Sequence, residues 1–177
     1  MGVSCAVITS AYGRQSQGTV RLHLLDLPVS QYGVDMADHT DDLRLAHILA
    51  DDADSLTMSR FGARDLTVST KPDHSEVTDA DLAVEDSVRR TLSRMRSRDA
   101  VHGEERADTG DGPRRWIIDP IDGTANFLRG VPVWATLIAL SVEDQIVASV
   151  VSAPALKRRW WAARGSGAWS GKSLASA

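Results

Sequence analysis

Residues 116–127 read Trp-Ile-Ile-Asp-Pro-Ile-Asp-Gly-Thr-Ala-Asn-Phe, and this stretch carries most of the information about the fold. The three apolar residues predict a short buried strand over 116–118. We expect the strand to end at Asp119 and Pro120, because proline cannot donate to a sheet ladder. A second carboxylate, Asp122, follows three positions after the first, and a helix is expected to begin near Gly123 and Thr124.

The same turn carries donor groups for a metal ion and for a phosphate. Two carboxylates and the main-chain carbonyl of Ile121 are oxygen ligands of the kind that Mg²⁺ prefers. Free amide groups of Gly123, Thr124 and Ala125 at a helix start would bind a phosphate beside that metal. An isolated turn of this sequence is more often only a capped turn, in which the carboxylates accept hydrogen bonds from nearby amides.

Two further acidic clusters precede this turn. Glu104 and Glu105 follow Gly103 after a short apolar step, and residues 77–81 read Val-Thr-Asp-Ala-Asp at a predicted helix start. Each cluster is weak alone, because Glu-Glu pairs are common on surfaces and Asp79 would serve as a helix N-cap. Three acidic clusters, each at the edge of an apolar element, favour a metal-dependent site over simple capping.

Composition excludes several classes of protein. The chain has 177 residues, 42% of them hydrophobic and 25% charged, which is typical of a globular domain. Its net charge of −4 argues against a nucleic-acid-binding protein, whose footprint would be basic. No apolar run approaches the ~20 residues that a membrane helix needs. The single cysteine, Cys5, excludes an internal disulfide and favours a cytoplasmic protein.

The chain is predicted to contain an extension followed by alternating elements. Residues 1–35 contain no Glu, Lys, Trp or Phe and are interpreted as an N-terminal extension, with Met36 as the natural start. Apolar residues at helical spacing predict two helices, the first capped by Thr40 or Asp41 and the second over 79–98. The first apolar face is Leu45, Ile48, Leu49, Ala53 and Leu56, and the second is Val84, Val88, Leu92 and Met95.

Strand patterns occupy most of the remaining chain. We predict short strands at 66–70, 158–163 and 167–170, and a hairpin of 134–142 with 145–152 joined by Glu143 and Asp144. The five tryptophans are interpreted as core and sheet-packing residues. His102 is interpreted as a strand-end residue. The arginines of the second helix are interpreted as a solvated face: Arg89, Arg90, Arg94, Arg96 and Arg98.

These motifs resemble the signatures of the inositol monophosphatase family of Mg²⁺-dependent phosphomonoesterases. The Gly-Glu-Glu element stands at 103–105, the aspartate turn at 116–124, and an upstream threonine/aspartate motif at 77–81. The resemblance spans about residues 41–172. It implies the layered αβαβα sandwich of the inositol monophosphatase and fructose-1,6-bisphosphatase type. Residues 36–155 would then form the N-terminal α+β catalytic lobe, and 156–177 the beginning of a second lobe.

The resemblance also implies a metal-ligand set of two or three Mg²⁺ ions. Glu104, Asp119 and the carbonyl of Ile121 would hold the first ion. Asp119 would bridge to a second ion, which Asp122 also binds. Asp81 and Glu105 lie where relatives hold a third, weaker Mg²⁺.

Catalytic and phosphate-binding roles are carried over in the same way. Thr124 and Asp81 would orient and deprotonate the attacking water, with Glu104 assisting, and Lys71 lies in what resembles a mobile loop over the site. The phosphate would contact Asp122, Gly123, Thr124 and Ala125. Water attack agrees with the lack of Cys or His in any motif. Phosphomonoester hydrolysis is slow enough uncatalysed to require such a metal site.

The substrate and the completeness of the chain leave alternatives open. The motifs at 71–73 with 77–81, 131–134, 152–155 and 158–165 look most like those of actinobacterial-type histidinol-phosphatases, which act on L-histidinol phosphate in histidine biosynthesis. Other relatives cleave inositol phosphates or nucleotide 3′-phosphates. The family's Trp-Asp motif is missing, so we expect a C-terminally truncated chain. The alternative to an active phosphatase is an inactive fragment that keeps part of the metal and phosphate site. A third interpretation treats the acidic turns as caps only. The expected partner is a small phosphorylated substrate, with neither nucleic acid nor membrane, and the family commonly forms homodimers.

Overall fold

The computed structural model describes residues 39–72 and 75–173 of the chain. The predicted extension over 1–35 and the predicted start at Met36 lie outside these residues. The helices are α1 (Thr40–Arg60), α2 (Asp79–Met95) and α3 (Thr124–Leu128), with one 3₁₀ turn at Pro154–Leu156. The strands are β1 (Val68–Thr70), β2 (Glu76–Thr78), β3 (Ala100–Gly103), β4 (Arg114–Asp122), β5 (Ala135–Val142), β6 (Gln145–Ala153), β7 (Arg158–Ala163) and β8 (Gly167–Gly171).

Six of these strands form one sheet under a layer of two helices. The sheet order follows the chain from β3 to β8, with β3 parallel to β4 and every other pair antiparallel. Helix α1 packs on α2 and on β5 and β6, and α2 packs on β4. The predicted layered α+β class is confirmed. The division at residue 155 stays a prediction; β7 continues the sheet by pairing with β6.

Strand β4 is longer than predicted, and its end is the main correction to the fold. The prediction that the strand ends at Asp119 and Pro120 is wrong, because β4 continues to Asp122. Asp119 pairs with Leu137 and Asp122 with Ala135, so the register shifts between them and a bulge contains the proline. The bulge tolerates the missing donor, and Pro120 contributes its carbonyl, which accepts a 2.7 Å hydrogen bond from Thr136.

The helices are confirmed as elements, although their ends differ. The N-cap of α1 is His39 rather than Thr40 or Asp41, and no side chain caps it. The N-cap of α2 is Thr78 rather than Asp79. Helix α2 ends at Met95 rather than near Arg98, so Met95 lies on the last turn with half of its surface exposed.

The core lies between the helices and the sheet. Val84, Val88 and Leu92 of α2 are buried as predicted, whereas Ile48 of α1 is exposed. Trp169 is 61% exposed on β8, so its assignment to the core is wrong. The buried core of the main cluster is Leu45, Ala46, Leu49, Ala50, Ala53, Val84, Val88, Leu92, Val101, Trp116, Ile118, Ile138, Leu140, Val147, Ala148, Val150 and Ala163.

Local turn chemistry accounts for the remaining strands. The β5–β6 hairpin is confirmed, and Glu143 and Asp144 both have positive φ, of 51° and 61°, as a two-residue turn requires. The predicted strand at 66–70 is present as the shorter β1, whose partner β2 the sequence analysis missed. No helix of the described residues is long and apolar enough to cross a membrane.

Candidate metal and phosphate site

The aspartate turn joins β4 to α3 over a small aromatic cluster. Ile121 is buried with Phe127 and Trp134, whose rings meet edge to face at 5.0 Å. Gly123 begins the turn into α3 with φ of +90°, and a Cβ there would lie 3.2 Å from the Val133 carbonyl oxygen. Both the left-handed backbone and this close approach require glycine. The turn is therefore held rigidly by packing on its buried side.

Parallel pairing brings the Glu-Glu segment to the aspartate turn. Strand β3 pairs with β4 so that Gly103 lies opposite Ile118. The Glu104 amide then donates to the Ile118 carbonyl at 3.2 Å, which places Glu104 beside the residue that follows, Asp119. This juxtaposition joins two clusters that are 15 residues apart in the chain, counting from Glu104 to Asp119.

The start of α2 supplies the third acidic group. Asp81 forms a capping box with Thr78: its Oδ2 accepts from the Thr78 amide at 2.8 Å and from the Thr78 hydroxyl. The other oxygen, Oδ1, lies 3.5 Å from the Thr124 hydroxyl, which is also 3.0 Å from the Ile121 carbonyl. Asp81 thus has a capping role and also faces the threonine with which the resemblance paired it.

The clustered carboxylates repel one another. Burial, with the nearby carboxylates of Glu104, Asp122 and Asp81, raises the pKa of Asp119 to about 9. Burial and the charge of Glu104 also raise the pKa of Asp122. For Asp81, burial raises the pKa although hydrogen bonds from Thr78 oppose the shift. Ionised carboxylates at this spacing need a cation to neutralise them.

Lys71 is the positive charge that faces this cluster. Its Nζ lies 2.8 Å from Oε1 of Glu104 and 2.8 Å from Oε1 of Glu105. Burial opposes the ammonium charge, but the two glutamates raise the pKa of Lys71 above its usual value. Burial also raises the pKa of Glu105, against the opposing effect of Lys71. The lysine is therefore a fixed cation at the carboxylates.

A cleft of ≈ 490 Å³ opens beside the cluster. Its lining comes from both sides of the site: Thr70, Ser75, Glu76, Glu104, Gly123, Thr124 and Ala125. The predicted phosphate-binding segment therefore faces an accessible space next to the carboxylates.

His102, interpreted as a strand-end residue, lies in β3 and its Nδ1 is 2.7 Å from Oδ1 of Asp108.

Sequence reasoning missed one buried residue of this region, Glu85. It lies four positions after Asp81 in α2 and is completely buried. Residues four apart share a helix face, so an acidic pair at this spacing next to buried Val84 was the available signal. Its Oε2 accepts from the Glu105 amide at 2.7 Å.

Comparison with known proteins shows the family of the chain. The model of the inositol monophosphatase family matches residues 39–176. The chain belongs to this family. A histidinol-phosphatase of Streptomyces coelicolor is 61% identical over 80% of this chain and 55% of its own length. A histidinol-phosphatase of Mycobacterium tuberculosis is 62% identical over 73% of this chain and 50% of its own.

Solved structures show the same fold. The extragenic suppressor protein suhB of Bartonella henselae superposes with a TM-score of 0.72 at 33% identity, over 75% of this chain and 52% of that one. The chain therefore spans about half the length of the relatives that it matches.

The carboxylates of the site are candidate ligands for the metal ion that the family implies. Within residues 39–72 and 75–173, no three His, Cys, Asp or Glu side chains stand ready to hold a metal ion. The donor chemistry nevertheless fits one, because Oδ1 of Asp119 is buried without a hydrogen-bond partner in this part of the chain. The residues that face it are carboxylates, the ligands of hard cations. The ligand assignment itself stays a prediction.

Proposed function

We propose that this inositol monophosphatase family chain acts as a Mg²⁺-dependent phosphomonoesterase whose substrate is L-histidinol phosphate. The observation that supports the reaction is that the Asp119 carboxyl is buried among the charges of Glu104, Asp122 and Asp81, while Asp81 lies 3.5 Å from the Thr124 hydroxyl, which borders an open cleft. The substrate is proposed from the 61% and 62% identity to two proteins named histidinol-phosphatase.

Mg²⁺ would be held by Glu104, Asp119, Asp122 and the carbonyl of Ile121, with Asp81 and Glu105 beside a weaker ion. When bound, Mg²⁺ supplies charge neutralisation at the phosphate oxygens and lowers the pKa of the water nucleophile. Two or three ions are the number that the resemblance implies. Lys71 would have to leave the two glutamates for them to reach a metal.

Thr124 and Asp81 would handle the proton of the attacking water. The Thr124 hydroxyl, 3.0 Å from the Ile121 carbonyl and 3.5 Å from Oδ1 of Asp81, can accept a proton from water as it passes its own to Asp81. Burial raises the pKa of Asp81, which makes it a better base than an exposed aspartate. The new water oxygen–phosphorus bond replaces the ester bond, and the alcohol leaves with a proton.

The start of α3 would hold the phosphate. The first amide groups of a helix have no partner within it, so those of Gly123, Thr124 and Ala125 are suited to phosphate oxygens at the cleft. Asp122 would orient the same phosphate through its metal. These contacts would hold the phosphate beside the water that Thr124 would orient.

The proposal is tested by phosphate release from purified chain. We expect release from L-histidinol phosphate in MgCl₂, none in EDTA, and greater turnover than of inositol 1-phosphate. Asp119→Asn should abolish release, whereas exposed Asp111→Asn should not. Turnover of the inositol ester at an equal or greater rate would contradict the substrate. If a chain extended downstream released phosphate and the 177-residue chain did not, the result would favour the alternative that the 177-residue chain is an inactive fragment. A homodimer and a cytoplasmic location stay predictions.

A further inference from the structure

Glu85 connects the interior of α2 to the segment that carries Glu104. Its side chain is 0% exposed, and its two oxygens have different partners. Oε1 accepts from Nε of Arg89 at 2.8 Å, and Oε2 accepts from the backbone amide of Glu105 at 2.7 Å. A carboxylate so buried is stable only when its hydrogen bonds are satisfied, and these two satisfy it.

Gly103 lies directly against the Glu85 carboxylate. A Cβ built on Gly103 would overlap Oε1 of Glu85, and its φ is not in the left-handed region. The glycine of the Gly-Glu-Glu element is therefore required by the close approach of Glu85 and not by backbone conformation. The two residues form a matched pair that fixes the distance between α2 and the end of β3.

Helix α2 also contacts the residues that follow Glu105 in the chain. Arg89, oriented by Glu85, donates to the Thr109 hydroxyl at 3.1 Å and to the Arg106 carbonyl at 3.4 Å. Arg106 in turn makes a bidentate pair with Asp86 at 3.0 and 2.8 Å. The segment that follows β3 is thus fastened to one helix at several points, with Glu85 innermost.

Fastening matters because charges of both signs act on Glu104. Lys71 attracts its carboxylate at 2.8 Å, whereas the carboxylates of Asp119, Asp122 and Asp81 repel it, and these unequal forces can displace the segment that carries it. A backbone amide held by a buried charged acceptor resists that displacement, since such hydrogen bonds are among the stronger ones in proteins.

We propose that Glu85 is a positioning residue for the metal centre, which holds the 103–105 segment so that Glu104 faces Asp119. The inference rests on the proposed Mg²⁺ function, because Glu104 is there a metal ligand. Among the residues that the structure describes, the hydrogen bond from the Glu105 amide links Glu85 to the segment that carries Glu104. Its removal should weaken metal binding without removing any ligand, as loss of an orienting partner does in other metal sites.

The test is Mg²⁺ affinity by calorimetric titration of the 177-residue chain. Glu85→Met keeps the length of the side chain and lacks an acceptor, whereas Glu85→Gln retains one carbonyl for the Glu105 amide. We expect the dissociation constant to rise about 10–100-fold for Glu85→Met and clearly less for Glu85→Gln. Glu143→Gln is the matched control, because it lies past Val142, which pairs with Arg114 at the opposite end of β4. Cooperative thermal unfolding confirms that each variant is folded.

A ligand variant separates failure of the inference from failure of the proposed function. If the wild-type chain and Asp119→Asn both fail to bind Mg²⁺, the proposed function is wrong and the inference falls with it. If the wild type binds and Asp119→Asn does not, unchanged affinity in Glu85→Met overturns the inference alone. Equal losses in Glu85→Met and Glu85→Gln would also overturn it, because the negative charge and not the hydrogen bond would then be responsible. Gly103→Ala, which displaces the Glu85 carboxylate, should weaken binding in the same way.

Discussion

Replacing the proposed metal ligand Asp119 should make the metal-free chain more stable. In the folded chain Asp119 has its pKa raised from 3.8 to about 9, so its ionised form is disfavoured by burial and by neighbouring carboxylates. Asp119→Asn is neutral in both states, so folding no longer requires proton uptake at this position, and its amide can donate a hydrogen bond to Glu104. We therefore expect the variant to unfold at a higher temperature than the wild type when both are in EDTA.

The size of the effect follows from proton linkage. Because the folded pKa is the higher one, the stability associated with neutral Asp119 is complete below pH 3.8 and is lost progressively as pH rises to about 9. At pH 7 the difference corresponds to an upper limit of about 4 kcal/mol, at about 1.4 kcal/mol per pKa unit. Because the carboxylates titrate together and share the repulsion, we expect about 2 kcal/mol, or roughly 4–8 °C in Tm.

The assay is thermal unfolding followed by circular dichroism, in EDTA and in MgCl₂, at pH 5 and pH 7. In EDTA the advantage of Asp119→Asn should be larger at pH 7 than at pH 5. MgCl₂ should stabilise the wild type and leave the variant unchanged. Asp111→Asn, exposed before β4, removes the same charge and should match the wild type throughout. An Asp119→Asn variant less stable than the wild type in EDTA at pH 7 would refute the reasoning.

Three further substitutions test the site and a buried ion pair between α1 and β7, in which Nη2 of Arg159 lies 2.7 Å from Oδ2 of Asp54. Lys71→Met removes the ammonium that competes for two glutamates, so the Mg²⁺ dissociation constant from calorimetry should fall about 3–10-fold; an increase would contradict competition. Gly123→Ala places an alanine in the left-handed backbone region, with φ of +90°. The free energy of unfolding measured in urea should therefore fall by about 1–3 kcal/mol. Arg159→Met removes the guanidinium that pairs with the buried Asp54 carboxylate, so the free energy of unfolding in urea should fall by about 3–5 kcal/mol. Exposed Arg158→Met should leave that free energy nearly unchanged.

Local signals predicted the elements wherever one segment contains all the information. The β5–β6 hairpin followed from two β-rich runs separated by Glu143 and Asp144. Helix α2 followed from the spacing of Val84, Val88 and Leu92. The predicted end of α2 was too late, because the arginines beyond Met95 are residues that favour helices. In the structure the helix ends at Met95 and β3 begins at Ala100.

Non-local contacts account for what sequence reasoning missed. Pro120 within β4 was interpreted as a strand end, because a local pattern cannot show that a bulge opposite β5 accommodates it. Trp169 was interpreted with the other tryptophans as a core and sheet-packing residue, yet β8 pairs only with β7 among the described strands and leaves the ring exposed. Burial is a property of neighbours, and neighbours in a sheet come from distant parts of the chain.

By itself the sequence determined the family and the chemical character of the site. Carboxylates of the aspartate turn, its glycine and its threonine are adjacent in the chain, so their chemistry can be recognised before folding. Only the tertiary structure decided that Lys71 lies between Glu104 and Glu105, and that Glu85 holds the Glu105 amide from inside α2. The physical reason is that parallel pairing of β3 with β4, under α2, creates these distances from residues that are far apart in the sequence.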